Sequence, residues 1–268
     1  MAFSDFYLFK DFVLSRYPNA KNIRQPNVRG SQNNVLFADV KDRHMVFKFG
    51  LPEIVQKNAL VSKLYLQNEI PVPEIQPIIM GPRAIEEYQA LPGKTLHESV
   101  QQGLDANRVR QIYHEILECF VRMSRISVNK LDGFEYQYLH NIARHQVGTT
   151  NSPVLGRLCQ LLVYLASVGG NKNCAIYHAD ITPKNVVVSD DGHLAGFLDV
   201  DTIAACEKNH AFAAMAAKYQ LLGFDIDDLI IEYENISGDK LLRSKVYAIA
   251  GIYNLGKKVL WMHSQKKR

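Results

Sequence analysis

Residues 177–201 read Tyr177-His178-Ala179-Asp180-Ile181-Thr182-Pro183-Lys184-Asn185-Val186-Val187-Val188, a Ser-Asp-Asp-Gly-His turn, then Leu194-Ala195-Gly196-Phe197-Leu198-Asp199-Val200-Asp201. Two polar clusters, H-x-D-x-x-x-x-N and D-x-D, flank an apolar β-branched run and a turn rich in Asp and Gly, a composition suited to a strand, a reversal and a second strand. An Asn five residues after an Asp can fold back across one loop. Asp201, two residues beyond Asp199, falls on the same side of an extended strand. Any one of these residues, alone, reads as a turn group satisfying the backbone. Their joint occurrence at this spacing around a strand is much harder to obtain by chance.

Working outward toward the N-terminus, the first twenty residues form an apolar-faced helix interrupted by Asp5, Lys10, Asp11 and Arg16, which rules out a secretory apolar run. Val35 to Val40 and Met45 to Phe49, separated by the polar turn 41–44, predict a β-hairpin. A helix is expected from about Pro52 to Asn68, with Ile54, Leu60, Val61 and Leu64 on its apolar face and a stop at the prolines of IPVPEIQP. Ile78 to Tyr88 reads as strands broken at Gly81-Pro82, and a lobe boundary falls near residue 90. Toward the C-terminus, a core helix spans about 105–128 with Asp105 as N-cap, and another spans about Val154 to Val168. The motif strands follow, and the region after Asp199 is expected to pass into an Ala-rich helix.

Composition bounds the reading further. With 268 residues, 47% hydrophobics and 22% charged, the chain can bury a sizeable core, and disorder and fibrous folds are excluded. The net charge of +4 is too small and scattered to mark a nucleic-acid footprint. No apolar run reaches the ~18–20 residues of a spanning helix, the longest being LLVYLA at 161–166, so no membrane partner is expected. Cys119, Cys159, Cys174 and Cys206 are widely spaced, which fits a reducing, cytoplasmic location.

The motif stretch, the Thr-Pro-Lys-Asn run within it and the early IPVPEI resemble the aminoglycoside phosphotransferase and choline kinase family of protein-kinase-like phosphotransferases, from about residue 20 to about 215. D-x-D stands where protein kinases carry D-F-G. The resemblance implies a bilobal α+β fold, with a small antiparallel-sheet lobe at 1–90 that positions nucleotide phosphates. A larger, mainly helical lobe at 91–268 would carry the catalytic loop, metal site and acceptor pocket. It implies a small-molecule kinase moving the γ-phosphate of ATP or GTP to an alcohol of an aminoglycoside, choline or ethanolamine, a sugar or an amino alcohol. Asp180 is the expected catalytic carboxylate; Asn185 and Asp199 are the expected magnesium ligands, with Asp201 a further ligand or a loop anchor. Lys48 stands where the family keeps its phosphate-contacting lysine. The RGSQNN stretch, with Ser31 and Asn34, takes the place of the phosphate-covering loop, and the strand end at Glu86 to Gln89, with Glu87 and Gln89, that of the nucleotide hinge. His178 reads as a loop-packing residue.

Two departures matter. The helix after Lys48 should carry a Glu that pairs with the lysine, but the matching position is Asn58, so either Asn58 accepts a weaker hydrogen bond and the lysine is held less firmly, or Glu53, one turn earlier, substitutes. Ala179 replaces the usual Gly of the loop. These departures favour, as the alternative, a degenerate pseudokinase that binds nucleotide or a partner without turnover. His140 and His145 are five apart and form no zinc motif. Six acids and no base occur between Lys218 and Lys240, which suits either a pocket for a cationic substrate or the acidic opening of a helix. Oligomeric state is not legible in the sequence.

Overall fold

The computed structural model describes residues 3–26, 35–128, 137–138 and 174–265. The helix expected at 154–168, together with His140, His145 and Cys159, lies outside the described residues. The chain divides into two units: Met1–Gly93 with Ala195–Asp201, and Lys94–Leu194 with Thr202–Arg268. One boundary of this division follows Gly93, and the D-x-D segment joins the first unit.

In the first unit the helix α1 (Phe3–Arg16) precedes strands β1 (Lys21–Arg24), β2 (Val35–Val40) and β3 (Arg43–Gly50), helix α2 (Pro52–Gln67), and strands β4 (Gln76–Met80) and β5 (Arg83–Gln89). The strands form one antiparallel sheet in the order β1-β2-β3-β5-β4. Lys41 and Asp42, at φ 47° and 63°, make the two-residue turn of the β2–β3 hairpin, the left-handed pair whose twist matches flanking strands. Arg43 and His44 therefore belong to β3 rather than to the turn. Leu36, Ala38, Val40, Phe47, Phe49 and Ile85 bury one face of the sheet against Phe9 and Val13 of α1. Side-chain alternation puts Lys48 and Glu86, cross-strand partners in register, on the opposite face.

Helix α2 starts with Pro52 in its first turn and buries Val55, Asn58, Val61, Ser62 and Tyr65. Ile54 and Leu60, expected on the apolar face, are exposed. The stripe runs through positions 55, 58, 62 and 65 instead. Its two polar members find partners inside: the Ser62 hydroxyl donates to Pro73 O at 2.6 Å and accepts from Ile75 N–H at 3.2 Å, while the Asn58 amide group reaches Glu86 of β5 and leaves its own buried Oδ1 without a partner among the described residues.

The second unit opens with β6 (Lys94–Thr95) and α3 (Leu96–Gln101), whose N-terminus is closed by a Thr95–Glu98 capping box. Helix α4 (Ala106–Met123) is capped by Asp105, which accepts from the N–H groups of Asn107 and Arg108. Strands β7 (Gln137–Tyr138), β8 (Cys174–His178) and β9 (Val186–Val188) follow, with β9 antiparallel to β6. Strand β10 (Leu194–Phe197) carries the chain into the first unit. The chain then returns as β11 (Ile203–Glu207), antiparallel to β8 with Ile203 opposite His178, and parallel to β7. The Ala-rich helix α5 (Lys208–Tyr219) therefore does not follow Asp199 directly. The strand IAACE has one β-branched residue in five, too little β signal to read from sequence. After a 3-10 turn come α6 (Ile226–Ser237) and α7 (Arg243–Gln265). The core here is aromatic: Phe120 of α4 packs on Tyr177, Phe212 and Tyr233, with centroid distances of 4.7, 6.2 and 5.9 Å.

Among the described residues, no helix is long and apolar enough to cross a membrane.

Candidate active site

The H-x-D-x-x-x-x-N segment of the second unit is a closed loop. His178, the buried last residue of β8, accepts the N–H of Asp180 at Nδ1 (3.1 Å), which fits packing rather than proton transfer. Ala179 N–H donates to Thr202 O at 2.6 Å, Thr182 N–H to Asp180 O at 2.8 Å, and Asn185 N–H to Thr182 O at 2.8 Å. Pro183 removes a donor where none is needed and leaves its carbonyl to His97 N–H at 2.9 Å. The side-chain amide of Asn185 folds back as expected, donating to Asp180 O at 3.0 Å and to Asp180 Oδ2 at 2.9 Å.

The second carboxylate oxygen meets a residue that the motif does not contain. Lys218, in the last turn of α5, donates to Asp180 Oδ1 at 2.8 Å and to Ala179 O at 2.9 Å. Burial by itself would raise the Asp180 pKa, but the Lys218 charge and hydrogen bond, with help from His178 and Asn185, outweigh it and hold the carboxyl below the ordinary aspartate range. Asp180 keeps 44% of its side-chain surface open, so an anionic acceptor is presented outward.

In the first unit, Lys48 projects from β3 and meets the D-x-D segment, which is not the extended strand expected: β10 ends at Phe197, and Asp199 to Asp201 form the turn after it. Its ammonium lies 3.2 Å from Asp199 Oδ1 and 2.9 Å from Asp201 Oδ2. Burial would depress this lysine; Asp199, Asp201 and then Glu86 overcome it and raise its pKa above the ordinary value. Asp199 has φ 58°, left-handed backbone uncommon for a side chain with a Cβ, and is the position in this turn where strain and a motif carboxylate coincide. The approach depends on Gly196: its φ is +146°, a Cβ there would come within 2.6 Å of Pro71 O, and the next residue, Phe197, donates its N–H to that carbonyl at 2.9 Å.

Glu53 does not take the place of the missing helix acid, being exposed in the first turn of α2. The charge comes from the sheet. Glu86, only 3% exposed, sits beside Lys48 across the β3–β5 register and accepts from Asn58 Nδ2 at 2.5 Å. Its own pKa is raised by burial, against the pull of Lys48 and Asn58. Here the helix carries the amide and the strand the acid.

Of the hinge residues, Glu87 gives its side chain to α1 and the turn after it, accepting from Arg16 Nε at 2.8 Å and Tyr17 Oη at 2.6 Å. The Gln89 side chain is exposed. Ala90 N–H bonds His44 O at 2.8 Å, so alternation turns the backbone groups of Gln89 toward β4, which begins opposite Glu87 and stops short of them. Ser31 and Asn34 lie outside the described residues. The acids at 225–239 serve structure: Asp225 caps α6, Asp227 pairs with Arg243, Glu234 with Lys240 and Asp239 with Lys208. They give no support to a cationic pocket.

Magnesium takes hard oxygen ligands and usually needs only one or two carboxylates beside substrate phosphates. Asp199 and Asp201 in the first unit and the Asn185 amide oxygen in the second are each donors of that type; among the described residues no group of three or more His, Cys, Asp or Glu comes together.

No protein-family model and no curated protein matches the sequence. Solved structures do match, along nearly the whole of both chains. Aminoglycoside phosphotransferase APH(3'')-Id from Streptomyces rimosus, in complex with ADP and streptomycin, is 15% identical with a TM-score of 0.63, covering 92% of this chain and 98% of its own. The fold is that of the aminoglycoside phosphotransferases. The GDP complex of aminoglycoside 2'-phosphotransferase-IIIa gives 13% identity and a TM-score of 0.66 over 97% and 92% of the two chains. A thermostable mutant of aminoglycoside phosphotransferase APH(4)-Ia, with AMP-PNP and hygromycin B, gives 13% and 0.69 over 96% and 93%. The protein-kinase-like α+β class inferred from the motif is therefore the observed one. At these identities the shared property is the fold of the aminoglycoside phosphotransferases.

Proposed function

We propose that the protein is a nucleotide-dependent kinase of small molecules, moving the γ-phosphate of ATP or GTP to a hydroxyl group. The observation that carries this reading is the closed D-x-x-x-x-N loop, in which Asn185 turns back onto Asp180 (2.9 Å) while the outward part of the carboxylate stays open. Asp180 orients the acceptor hydroxyl and takes its proton as the phosphoryl bond forms. Its depressed pKa suits a late proton transfer, in keeping with a loose transition state in which little nucleophile activation is required. Lys48 binds the nucleotide phosphates, kept charged and aimed by Asp199, Asp201 and Glu86. Asn185 and Asp199, with Asp201, supply the oxygens for magnesium, which when bound neutralises phosphate charge. The first unit, on this reading, positions phosphates, the backbone at Gln89 receives the base, and the second unit presents the acceptor.

Aminoglycosides are the acceptors named for the proteins of like fold; choline, ethanolamine, sugars and amino alcohols complete the panel. The pseudokinase alternative rested on the Asn58 and Ala179 departures; against the first stands Glu86, an acid beside Lys48 on the neighbouring strand. Melting temperature with ATP or GTP, with and without magnesium, tests the reading. Ligand at about 100 times its Kd stabilises by ~2.7 kcal/mol, a rise of roughly 5–10 °C, expected for the wild type and lost in Asp199→Ala. Transfer of labelled phosphate to the pooled alcohols should follow; no thermal shift and no transfer would overturn it.

A further inference from the structure

We infer that Lys218 is a positioning residue that acts through Asp180, supplying from helix α5 the cation that the catalytic loop itself does not place on its carboxylate. The inference rests on the phosphotransfer reading above. The loop does contain a lysine, Lys184, between Asp180 and Asn185, but it is exposed and engaged by no hydrogen bond or ion pair among the described residues. Lys218 is 13% exposed and reaches Asp180 from 38 positions away.

The surroundings of Lys218 select for this contact. The run from His210 to Tyr219 is buried at every position but Lys218, and four of its alanines, Ala213, Ala214, Ala216 and Ala217, let the helix pack closely. An ammonium in such a helix is tolerated only with an anionic or carbonyl partner. It takes both kinds, a carboxylate oxygen and the preceding carbonyl, and it sits at the C-terminal end of the helix, where the dipole favours a cation.

The consequence for Asp180 is twofold. A carboxylate offers about four acceptor positions; Lys218 holds one on Oδ1 and Asn185 one on Oδ2, so the carboxylate plane is fixed with positions left for a hydroxyl. An uncompensated Asp180 would also repel the anionic phosphoryl group that its bound hydroxyl must meet, and Lys218 cancels that charge at 2.8 Å. The hydroxyl is aimed without an electrostatic penalty on the phosphate.

The test is a double-mutant cycle with Asp180→Asn in the magnesium-dependent transfer assay. Lys218→Met should lower kcat about 10- to 100-fold, less than the ~10²–10⁴ lost with the base itself, and leave nucleotide KM within about twofold. Lys218→Arg should recover most of kcat. In the Asp180→Asn background, Lys218→Met should cost nothing further, because its effect passes through the carboxylate. Equal losses in both backgrounds, or an unchanged kcat in Lys218→Met, would overturn the inference. If the methionine variant does not fold, Lys218→Gln, uncharged but still a donor, takes its place with the same expectations. A wild type that transfers no phosphate from either nucleotide overturns the kinase reading and this role with it; turnover with an additive cycle overturns this role alone.

Discussion

Each unit holds a lysine against aspartate, and the two arrangements differ in their charge balance. Lys48 faces Asp199 and Asp201 with Glu86 close by, so acids outnumber the cation even with burial pushing Glu86 toward its neutral form. Lys218 faces Asp180 alone. Surplus negative charge is a place where further positive charge is welcome, as the proposed magnesium site requires. A neutralised pair is a place where an uncharged hydroxyl binds without disturbance. On the proposed reading, the same two residue types, set in different ratios, would prepare one unit for a cation and the other for an alcohol.

That contrast can be broken most forcefully at Gly196. Gly196→Ala puts a Cβ against Pro71 O and strains a left-handed backbone three residues before Asp199, so we expect a loss of about 3 kcal/mol in urea unfolding. The magnesium-dependent thermal shift should weaken as well, since the Lys48 acids move while Asp180 and Lys218 do not. A neutral substitution would mean that the strand position does not set the Lys48 geometry. The next effect is that of Asn58→Ala, which leaves the buried Glu86 without its donor; about 2 kcal/mol should be lost, with nucleotide KM raised rather than kcat lowered. The smallest expected change sharpens the assignment of the acid. Glu53→Gln should move stability by less than about 0.5 kcal/mol and leave nucleotide affinity unchanged; a clear fall in affinity would return the role to the helix.

The parts legible in sequence were those fixed by local spacing. Asp180 and Asn185 sit five apart on one loop, so their pairing is written in the numbering; Asp199 and Asp201 sit two apart, but in a turn rather than along a strand, and a left-handed Asp199 brings them to Lys48. The partners that the sequence did not yield act at a distance. Glu86 reaches Lys48 only through β3–β5 register, which a periodicity argument cannot align across a helix and two strands. Lys218 had a readable signal, a single ammonium inside the buried Ala-rich run from His210 to Tyr219, but nothing local to say which anion it meets. The β11 strand was lost to its alanines, and Ile54 and Leu60 were misplaced because α2 buries an amide and a hydroxyl in their stead. In each case tertiary pairing decided against local propensity.

Ala195–Asp201 belongs with residues that precede it by about a hundred positions, and this has a bearing on the birth of the chain. A ribosome adds roughly 5–20 residues per second. After Gly93 is made, the nascent sheet waits on the order of ten seconds before Asp199 and Asp201 exist. During that interval Lys48 has no D-x-D acids to meet. The first-made segment is therefore finished late: its five-stranded sheet is complete at Gln89, but stalling translation anywhere between Gly93 and Ala195 leaves Pro71 O without the Phe197 N–H and Lys48 without those acids.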